Sequence, residues 1–226
     1  GVLSSIGMNK EENLSALRSE TSKLQPACIL QTHHAFPVGE IQADNQSLGK
    51  LAGTAAPWPR TALLSCIAAT EALDDFKMKL QQSGCDVSSL LKTARIAFVS
   101  GNTTGGMDKT EQFYPAFLHN PEPAAYEAIR YHSCGSITQL VASHLGLNTR
   151  VTTICTACSS SANTIMHACR LLKHNTCDIV IAGGADALCR FTLNGFHSLM
   201  ILDKNRCTPF DENRQGLNLG EGAAYL

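Results

Sequence analysis

The sequence is constrained most by a regular alternation of apolar strand-like runs with amphipathic helical patterns. Three short runs rich in β-branched residues are bounded by turn residues: "ARIAFVSG" (94–101), "VTTICTA" (151–157) and "CDIVIAGGAD" (177–186). Continuous apolar runs of this length are typical of strands that are covered on both faces. Because helical patterns lie between them, the sequence predicts an α/β layered fold.

Three segments before and between these runs have helical periodicity. Residues 61–84 place apolar side chains at helical spacing and end at a glycine, which predicts a C-terminal cap. Residues 136–146 begin with Ser136 and Gln139 in capping-box positions and also end at a glycine. Residues 158–173 repeat apolar side chains at steps of three and four. We therefore expect three helices that pack on the strands.

Other segments carry weaker signals. The stretch 35–60 has no sustained period and is predicted to be irregular surface structure. Residues 1–4, "GVLS", are predicted to be the end of a strand, and "GEGAAYL" (220–226) the start of another. Both ends therefore favour a piece of a larger chain.

Composition narrows the class of protein. The formal net charge is −1, which gives no electrostatic reason to expect nucleic acid or a membrane surface as a partner. No apolar run approaches the roughly 20 residues that span a bilayer, and no signal peptide opens the sequence. The chain has ten cysteines, and Cys66, Cys134 and Cys169 lie in apolar helical patterns where thiols act as small hydrophobes. We expect a cytoplasmic protein with reduced thiols.

The stretch "ICTACSSSANT" (154–164) carries the chemistry, since Cys155 and Cys158 are three residues apart. A structural zinc site needs four ligands, and the chain has no second CxxC pair, which disfavours a metal. A redox pair requires both sulfurs at a helix N-terminus, whereas Cys155 is predicted to lie in the strand. Cys155 is most simply a packing thiol.

A nucleophile fits this stretch best. The chain passes from a strand through small residues into a helix, so Cys158 is predicted on a sharp turn at the first turn of that helix. The unpaired N–H groups and the positive end of the helix favour thiolate over thiol and can hold an oxyanion. This is the geometry of a nucleophile elbow built with sulfur. A buried helix-cap cysteine is the alternative.

None of the eight histidines is placed by the sequence as a base for Cys158. His167 lies nine residues further along the same helix, which turns it about 180° to the opposite face. His174 is at the far end of that helix, roughly 24 Å away. We therefore expect the base to lie outside this chain.

Several motifs together resemble a known family. They are "RIAFVSGNTTGG" (95–106), "TACSSS" (156–161), "CDIVIAGGAD" (177–186) and "CTPFDENRQGLNLGEGAA" (207–224). Their order and spacing resemble those of β-ketoacyl-acyl carrier protein synthases, the condensing enzymes of fatty acid and polyketide synthesis. The signature is more similar to the elongating members than to the CoA-primed branch. The resemblance extends over the whole chain and is weakest over 35–60.

The resemblance implies a thiolase-like α/β fold of two similar halves, each with a mixed five-stranded sheet between helices. Residues 1–226 would be the N-terminal half, and the catalytic histidines would lie in the other half. Cys158 would accept the acyl group, with its backbone N–H as an oxyanion donor. Thr104, in "GNTTGG", and Phe196, in "LNGFHS", would line the acyl pocket.

The resemblance also implies partners and alternatives. Acyl carrier protein bearing acyl and malonyl groups would be the partner, in a homodimer and with no cofactor or metal. Glu221, in "GEGAA", would be a buried structural carboxylate, and the glycines of "GNTTGG" would serve close packing at a turn rather than a phosphate. A non-catalytic synthase-like partner subunit and a CxxC redox or metal module stay open as alternatives.

Overall fold

The computed structural model describes residues 1–121, 123–147 and 150–226. Its main sheet orders five strands as β1-β7-β6-β4-β5. These are β1 (Val2–Ser4), β4 (Ile96–Gly101), β5 (Arg150–Ile154), β6 (Ile179–Asp186) and β7 (Gly222–Tyr225). A two-stranded ladder joins β2 (Gln25–Pro26) to β3 (Pro37–Val38). β4 is parallel to β5 and β6, and β7 is antiparallel to β6 and β1. The predicted mixed five-stranded sheet is therefore confirmed.

Helices cover both faces of this sheet. They are α1 (Lys10–Arg18), α2 (Asn45–Leu51), α3 (Arg60–Gln82), α4 (Val87–Thr93), α5 (Met107–His119), α6 (Cys134–His144), α7 (Ser160–Lys173) and α8 (Arg190–Ser198), with a 3₁₀ turn at Pro123–Ile129. Helices α3 and α6 pack on one face of the sheet, and α7 packs on the other. The alternation of side chains along β4 serves both faces, since Phe98 joins the α3 core while Ala97 and Val99 join the α7 core. No helix within the described ranges has the length and apolar character that crossing a bilayer requires.

The helix and strand predictions hold with shifted boundaries. α3 matches the predicted helix, and Gly84 follows it with φ of +78°, the left-handed cap conformation. The predicted capping box of α6 is wrong. Its N-cap is Ser133, whose side chain accepts a hydrogen bond from the amide of Ser136. Gln139 lies inside the helix, because α6 begins two residues earlier than predicted.

The stretch 35–60 is not irregular surface structure, and that prediction is wrong. It contains β3 and α2, and Val38, Ile41 and Leu48 are buried there. Ile41 and Leu48 join the α3 core, so the apolar side chains of this stretch meet a partner that lies elsewhere in the chain. Short elements of two to seven residues leave too few repeats for a period to be visible.

A buried ion pair ties this stretch to the sheet. Arg60, the first residue of α3, donates from Nε and Nη2 to the two carboxylate oxygens of Glu221 at 2.9 and 2.6 Å. Its other donors reach the carbonyls of Ile41 and Ala43 and the side chain of Asn45. All five guanidinium N–H groups are therefore used.

The carboxylate is equally well satisfied. Glu221 also accepts from the amides of Ile41 at 2.9 Å and Leu188 at 3.0 Å. The prediction of a buried structural carboxylate is confirmed, since its side chain is 0% exposed. One carboxylate thus holds three segments of the chain against the start of β7.

We expect Arg60→Ala to lower the free energy of unfolding of the full-length protein by roughly 3–5 kcal/mol, because it leaves Glu221 charged, buried and unpaired. Urea denaturation followed by circular dichroism measures the change. Lys79→Ala, which breaks an exposed pair with Asp75, is the control and is expected to leave the unfolding midpoint unchanged. Equal midpoints for both variants would contradict the role of the buried pair.

Candidate functional site

Cys158 lies on a tight bend between β5 and α7. The bend is made at Ala157, which has φ of +52°, a left-handed conformation that is uncommon for a residue with a side chain. Ser159 is the N-cap of α7, so Cys158 lies one residue before the cap. The predicted position in the first turn of the helix is therefore shifted to just before that turn. The Cys158 thiol is exposed and unbonded to another cysteine. The structure therefore presents this sulfur at the start of a helix, outside the core.

Hydroxyl groups hold the bend in place. The amide of Thr156 donates to Oγ of Ser160 at 2.9 Å, and that hydroxyl donates to the carbonyl of Ala157 at 2.7 Å. Oγ of Ser159 donates to the carbonyl of Thr156 at 2.8 Å, and Nδ2 of Asn163 donates to the Thr156 hydroxyl at 2.8 Å. The run of small hydroxylated residues after Cys158 thus closes the turn by side-chain bonds to its backbone.

Glycines in the sheet make room for the first turn of α7. A Cβ atom on Gly101, at the end of β4, would lie 3.0 Å from the backbone of Ser160. One on Gly184, in β6, would lie 2.3 Å from Oγ of Ser161 and 2.6 Å from the carbonyl oxygen of Gly101. Only residues without a side chain permit this approach, so the first turn of α7, which follows Cys158, packs directly on two strands.

This arrangement can perform nucleophilic chemistry on an acyl group. The Cys158 sulfur is open to solvent, and within the described residues its backbone N–H has no acceptor. A free amide beside an attacking sulfur is suited to stabilise the oxyanion that forms at a carbonyl carbon. The assignment of Cys158 as the acyl-accepting nucleophile stays a prediction of the sequence with which this geometry agrees.

Two of the histidines form hydrogen bonds away from Cys158. His132 Nδ1 lies 2.8 Å from the hydroxyl of Thr110, and His144 Nε2 lies 2.9 Å from the carbonyl of Ala52. In the part of the chain that the structure describes, no histidine forms a hydrogen bond with Cys158. A general base for this thiol is therefore not assigned to any of the described histidines.

Thr104 lies at the turn after β4, beside the half-buried carboxylate of Asp186. Asp186, at the end of β6, accepts from the amide and hydroxyl of Thr103 at 2.8 and 2.9 Å. It also accepts from the amide and hydroxyl of Thr104 at 3.3 and 3.4 Å. Burial raises the pKa of Asp186, and the bonds from Thr103 and Thr104 oppose that rise. The hydroxyl of Thr104 thus anchors the turn, and its place in an acyl pocket stays a prediction.

Phe196 lies on α8 and is half-buried. Its ring packs against a small apolar cluster formed by Val38, Leu188, Leu193 and Leu202. This cluster lies apart from the two larger cores of the sheet. The structure therefore gives Phe196 a packing role, and its contact with an acyl chain also stays a prediction.

The first cysteine of the CxxC stretch, Cys155, is not a packing thiol. Cys155 follows the end of β5 and is exposed, which corrects both predictions made for it. Its sulfur lies 3.8 Å from that of Cys134, the first residue of α6. Cys66 is buried as expected, whereas Cys169 is exposed on α7. Within the described residues no group of side chains is arranged to hold a metal ion.

Two residues beside this site, Asp186 and Cys134, were not identified from the sequence as parts of it. Asp186 had a usable signal, because a polar residue at the carboxyl end of a buried parallel strand lies where such sheets form their sites. Cys134 had none, since its contact with Cys155 depends on how α6 packs beside β5.

We expect Gly184→Ala to slow the alkylation of Cys158 by iodoacetamide severalfold and to lower the free energy of unfolding by about 1–3 kcal/mol. The reason is that the new methyl group would overlap Ser161 and displace the start of α7 from the sheet. Rates are measured by mass spectrometry of the modified peptide in the full-length protein. Gly195→Ala is the control, since a Cβ there has nothing within 4 Å and a helical alanine stabilises by about 0.5–1 kcal/mol. Unchanged alkylation in Gly184→Ala would contradict the role of these glycines in positioning the start of α7.

Most of the chain is similar to known proteins. The family model for the β-ketoacyl synthase N-terminal domain matches residues 59–226. The chain is 31% identical over 168 residues to nodulation protein E of Rhizobium meliloti, covering 73% of this chain and 39% of that protein. It is 28% identical over 163 residues to 3-oxoacyl-[acyl-carrier-protein] synthase 2 of Coxiella burnetii, covering 69% and 39%.

The fold is shared with solved structures. The ishigamide ketosynthase/chain length factor matches with a TM-score of 0.82 and 25% identity, over 100% of this chain and 56% of that one. This likeness confirms the thiolase-like α/β fold. The chain spans about 39% of the length of the curated relatives named above. With a family model that matches most of its residues, the chain belongs to the β-ketoacyl synthase family.

Proposed function

We propose that this chain is the nucleophile-bearing, N-terminal half of a 3-oxoacyl-acyl carrier protein synthase that serves fatty acid or polyketide-type synthesis. The observation that carries the proposal is the exposed sulfur of Cys158 on a bend clamped at the N-terminus of α7. Membership of the β-ketoacyl synthase family supports the choice of an acyl thioester as the substrate class.

The first half-reaction is acyl transfer to sulfur. The thiolate of Cys158 attacks the thioester carbonyl of an acyl chain on acyl carrier protein, and a new carbon–sulfur bond forms. The carrier thiolate leaves as the old thioester bond breaks, and it takes up the proton that Cys158 gave up. The backbone N–H of Cys158 donates to the oxyanion in the tetrahedral intermediate, which is why its freedom from any acceptor in the described chain supports this step.

The second half-reaction forms a carbon–carbon bond. Malonyl-carrier protein loses carbon dioxide, and the resulting carbanion attacks the acyl carbonyl on Cys158. The new 3-oxoacyl group stays on the carrier, and the Cys158 thiolate is released. The match to the N-terminal domain of the β-ketoacyl synthase family supports assigning the acid and base groups of this step to the other half of the synthase.

Two further residues belong to the proposal as substrate contacts. Thr104 lies in the turn that follows β4, and its hydrogen bonds to Asp186 fix that turn. Phe196 offers a half-buried aromatic ring on α8. We assign both to the acyl-binding wall, where an aliphatic chain would lie against apolar surface.

A non-catalytic partner subunit is the second candidate function. It is favoured by the likeness to structures titled as ketosynthase/chain length factor complexes. It is disfavoured by the presence of a cysteine at the bend, held by four side-chain hydrogen bonds. A redox or metal module built on Cys155 and Cys158 is disfavoured further, because the sulfur of Cys155 contacts that of Cys134.

The test of function uses the full-length protein with acyl- and malonyl-carrier substrates. We expect mass spectrometry to find the acyl group on Cys158 and the assay to yield a 3-oxoacyl product. Cys158→Ser should lower condensation by roughly 10³-fold or more, because it removes the attacking thiolate. Cys169→Ser, which replaces an exposed thiol on α7, is the matched control and should retain full acylation.

The outcomes separate the two candidates. Acylation of Cys158 without condensation would favour the non-catalytic partner subunit. Condensation that survives Cys158→Ser would contradict the whole proposal.

We also propose that the protein pairs with a second copy of itself or a related synthase chain through β5. That strand is at one edge of the five-stranded sheet, and its side chains are half-exposed or exposed. An edge strand presents unpaired backbone donors and acceptors that a second strand can complete. Analytical ultracentrifugation of the full-length protein is expected to show a dimer at micromolar concentration, and a monomer throughout that range would contradict this pairing.

A further inference from the structure

Two thiols meet beside the nucleophile. The sulfur of Cys134 donates a hydrogen bond to that of Cys155 at 3.8 Å. Cys134 is the first residue of α6, and Cys155 is the first residue after β5, so the contact joins two different elements. Cys155 is exposed and Cys134 is half-buried, which leaves one of the two sulfurs open to a reagent.

The geometry is close to that of a bond. A disulfide requires the sulfurs to approach to about 2.05 Å, so the pair must close by about 1.8 Å from its 3.8 Å separation. Rotation of the exposed Cys155 side chain, together with a small shift of the end of β5, can supply such a movement. The cysteine three residues away in the sequence, Cys158, is not the partner that the fold offers to Cys155.

We propose that Cys134 and Cys155 are a redox-sensitive dithiol, which small-molecule disulfides such as oxidised glutathione convert reversibly into an intramolecular disulfide next to the nucleophile. The thiolate of Cys155 attacks one sulfur of the glutathione disulfide and releases one glutathione thiolate. Cys134 then loses its proton and attacks the Cys155 sulfur of the mixed disulfide, and the second glutathione leaves. Two protein thiols are oxidised, and one disulfide is reduced to two glutathione molecules.

The order of these steps follows from the environment of the two sulfurs. Burial raises the pKa of Cys134 to about 11, and the neighbouring Cys155 adds to the rise. Exposed Cys155 is therefore the attacking sulfur. Once it is held in the mixed disulfide it carries no negative charge, so its opposition to ionisation of Cys134 is removed.

The disulfide between Cys134 and Cys155 affects Cys158 through Thr156. The amide of Thr156, the residue after Cys155, donates to Oγ of Ser160. This is one of the hydrogen bonds that hold the bend at Ala157 in place. A disulfide that fixes Cys155 to α6 shifts this strand end and with it the position of Cys158. We expect the oxidised protein to react with iodoacetamide at Cys158 at least about threefold more slowly than the reduced protein, since small displacements of a nucleophile have large kinetic effects.

The experiment titrates the full-length protein with mixtures of reduced and oxidised glutathione and maps disulfides by mass spectrometry of peptides. The expected result is a cross-linked peptide containing residues 134 and 155, lighter by about 2 Da than the two reduced peptides and lost on reduction. A bond between Cys155 and Cys158, or only mixed disulfides with glutathione, would overturn the proposal. Equal Cys158 alkylation rates in the two redox forms would overturn its link to the nucleophile.

Variants separate this pair from the other thiols. Cys134→Ser and Cys155→Ser are each expected to abolish the cross-link and to make Cys158 alkylation insensitive to glutathione poise. Cys158→Ser must still form the cross-link, and Cys169→Ser, the matched exposed-thiol control, must behave as the parent protein. Because wild-type mapping is itself decisive, the test holds even where one variant folds poorly. A cross-link that persists in Cys134→Ser would refute the assigned partner.

Discussion

The first turn of α7 lies directly on glycine backbone at the carboxyl ends of β4 and β6, and the geometry of the site depends on that contact. A side chain on Gly184 would overlap Oγ of Ser161, and one on Gly101 would press on Ser160. With the helix start fixed to the sheet, the chain has little length in which to turn. The left-handed conformation of Ala157 makes that turn, and the sulfur of Cys158 is directed outward by it.

The hydroxyl hydrogen bonds at the bend act next to Cys158, whereas the buried ion pair acts further away. Ser160 is 3% exposed and bonds to both sides of the bend, so it stabilises the turn locally. Arg60 and Glu221 lie further away and hold together segments that are 161 residues apart in the sequence. Their hydrogen bonds are complete on both sides, which is the condition under which a charged pair is tolerated inside a protein. The site is thus supported by a frame of polar contacts as well as by apolar packing.

The cysteines show how little their spacing alone decides. A CxxC motif suggests a pair, yet the bend with φ of +52° at Ala157 lies between Cys155, which follows β5, and Cys158, which precedes α7. The free thiol of Cys155 instead meets Cys134 at the start of α6. Two cysteines that are three residues apart in the sequence can therefore lie in different surroundings once the chain has folded.

The sequence by itself determined the alternation of strands and helices, the strand–bend–helix passage at Cys158 and the glycine that ends α3. These features are local, because burial of one face imposes a period on neighbouring residues and a left-handed cap requires glycine. Folding decided the rest: the order of the strands, the burial of 35–60, the Arg60–Glu221 pair and the meeting of Cys134 with Cys155. Such contacts join residues distant along the chain, and their partners are chosen by how whole elements pack, which no local period records.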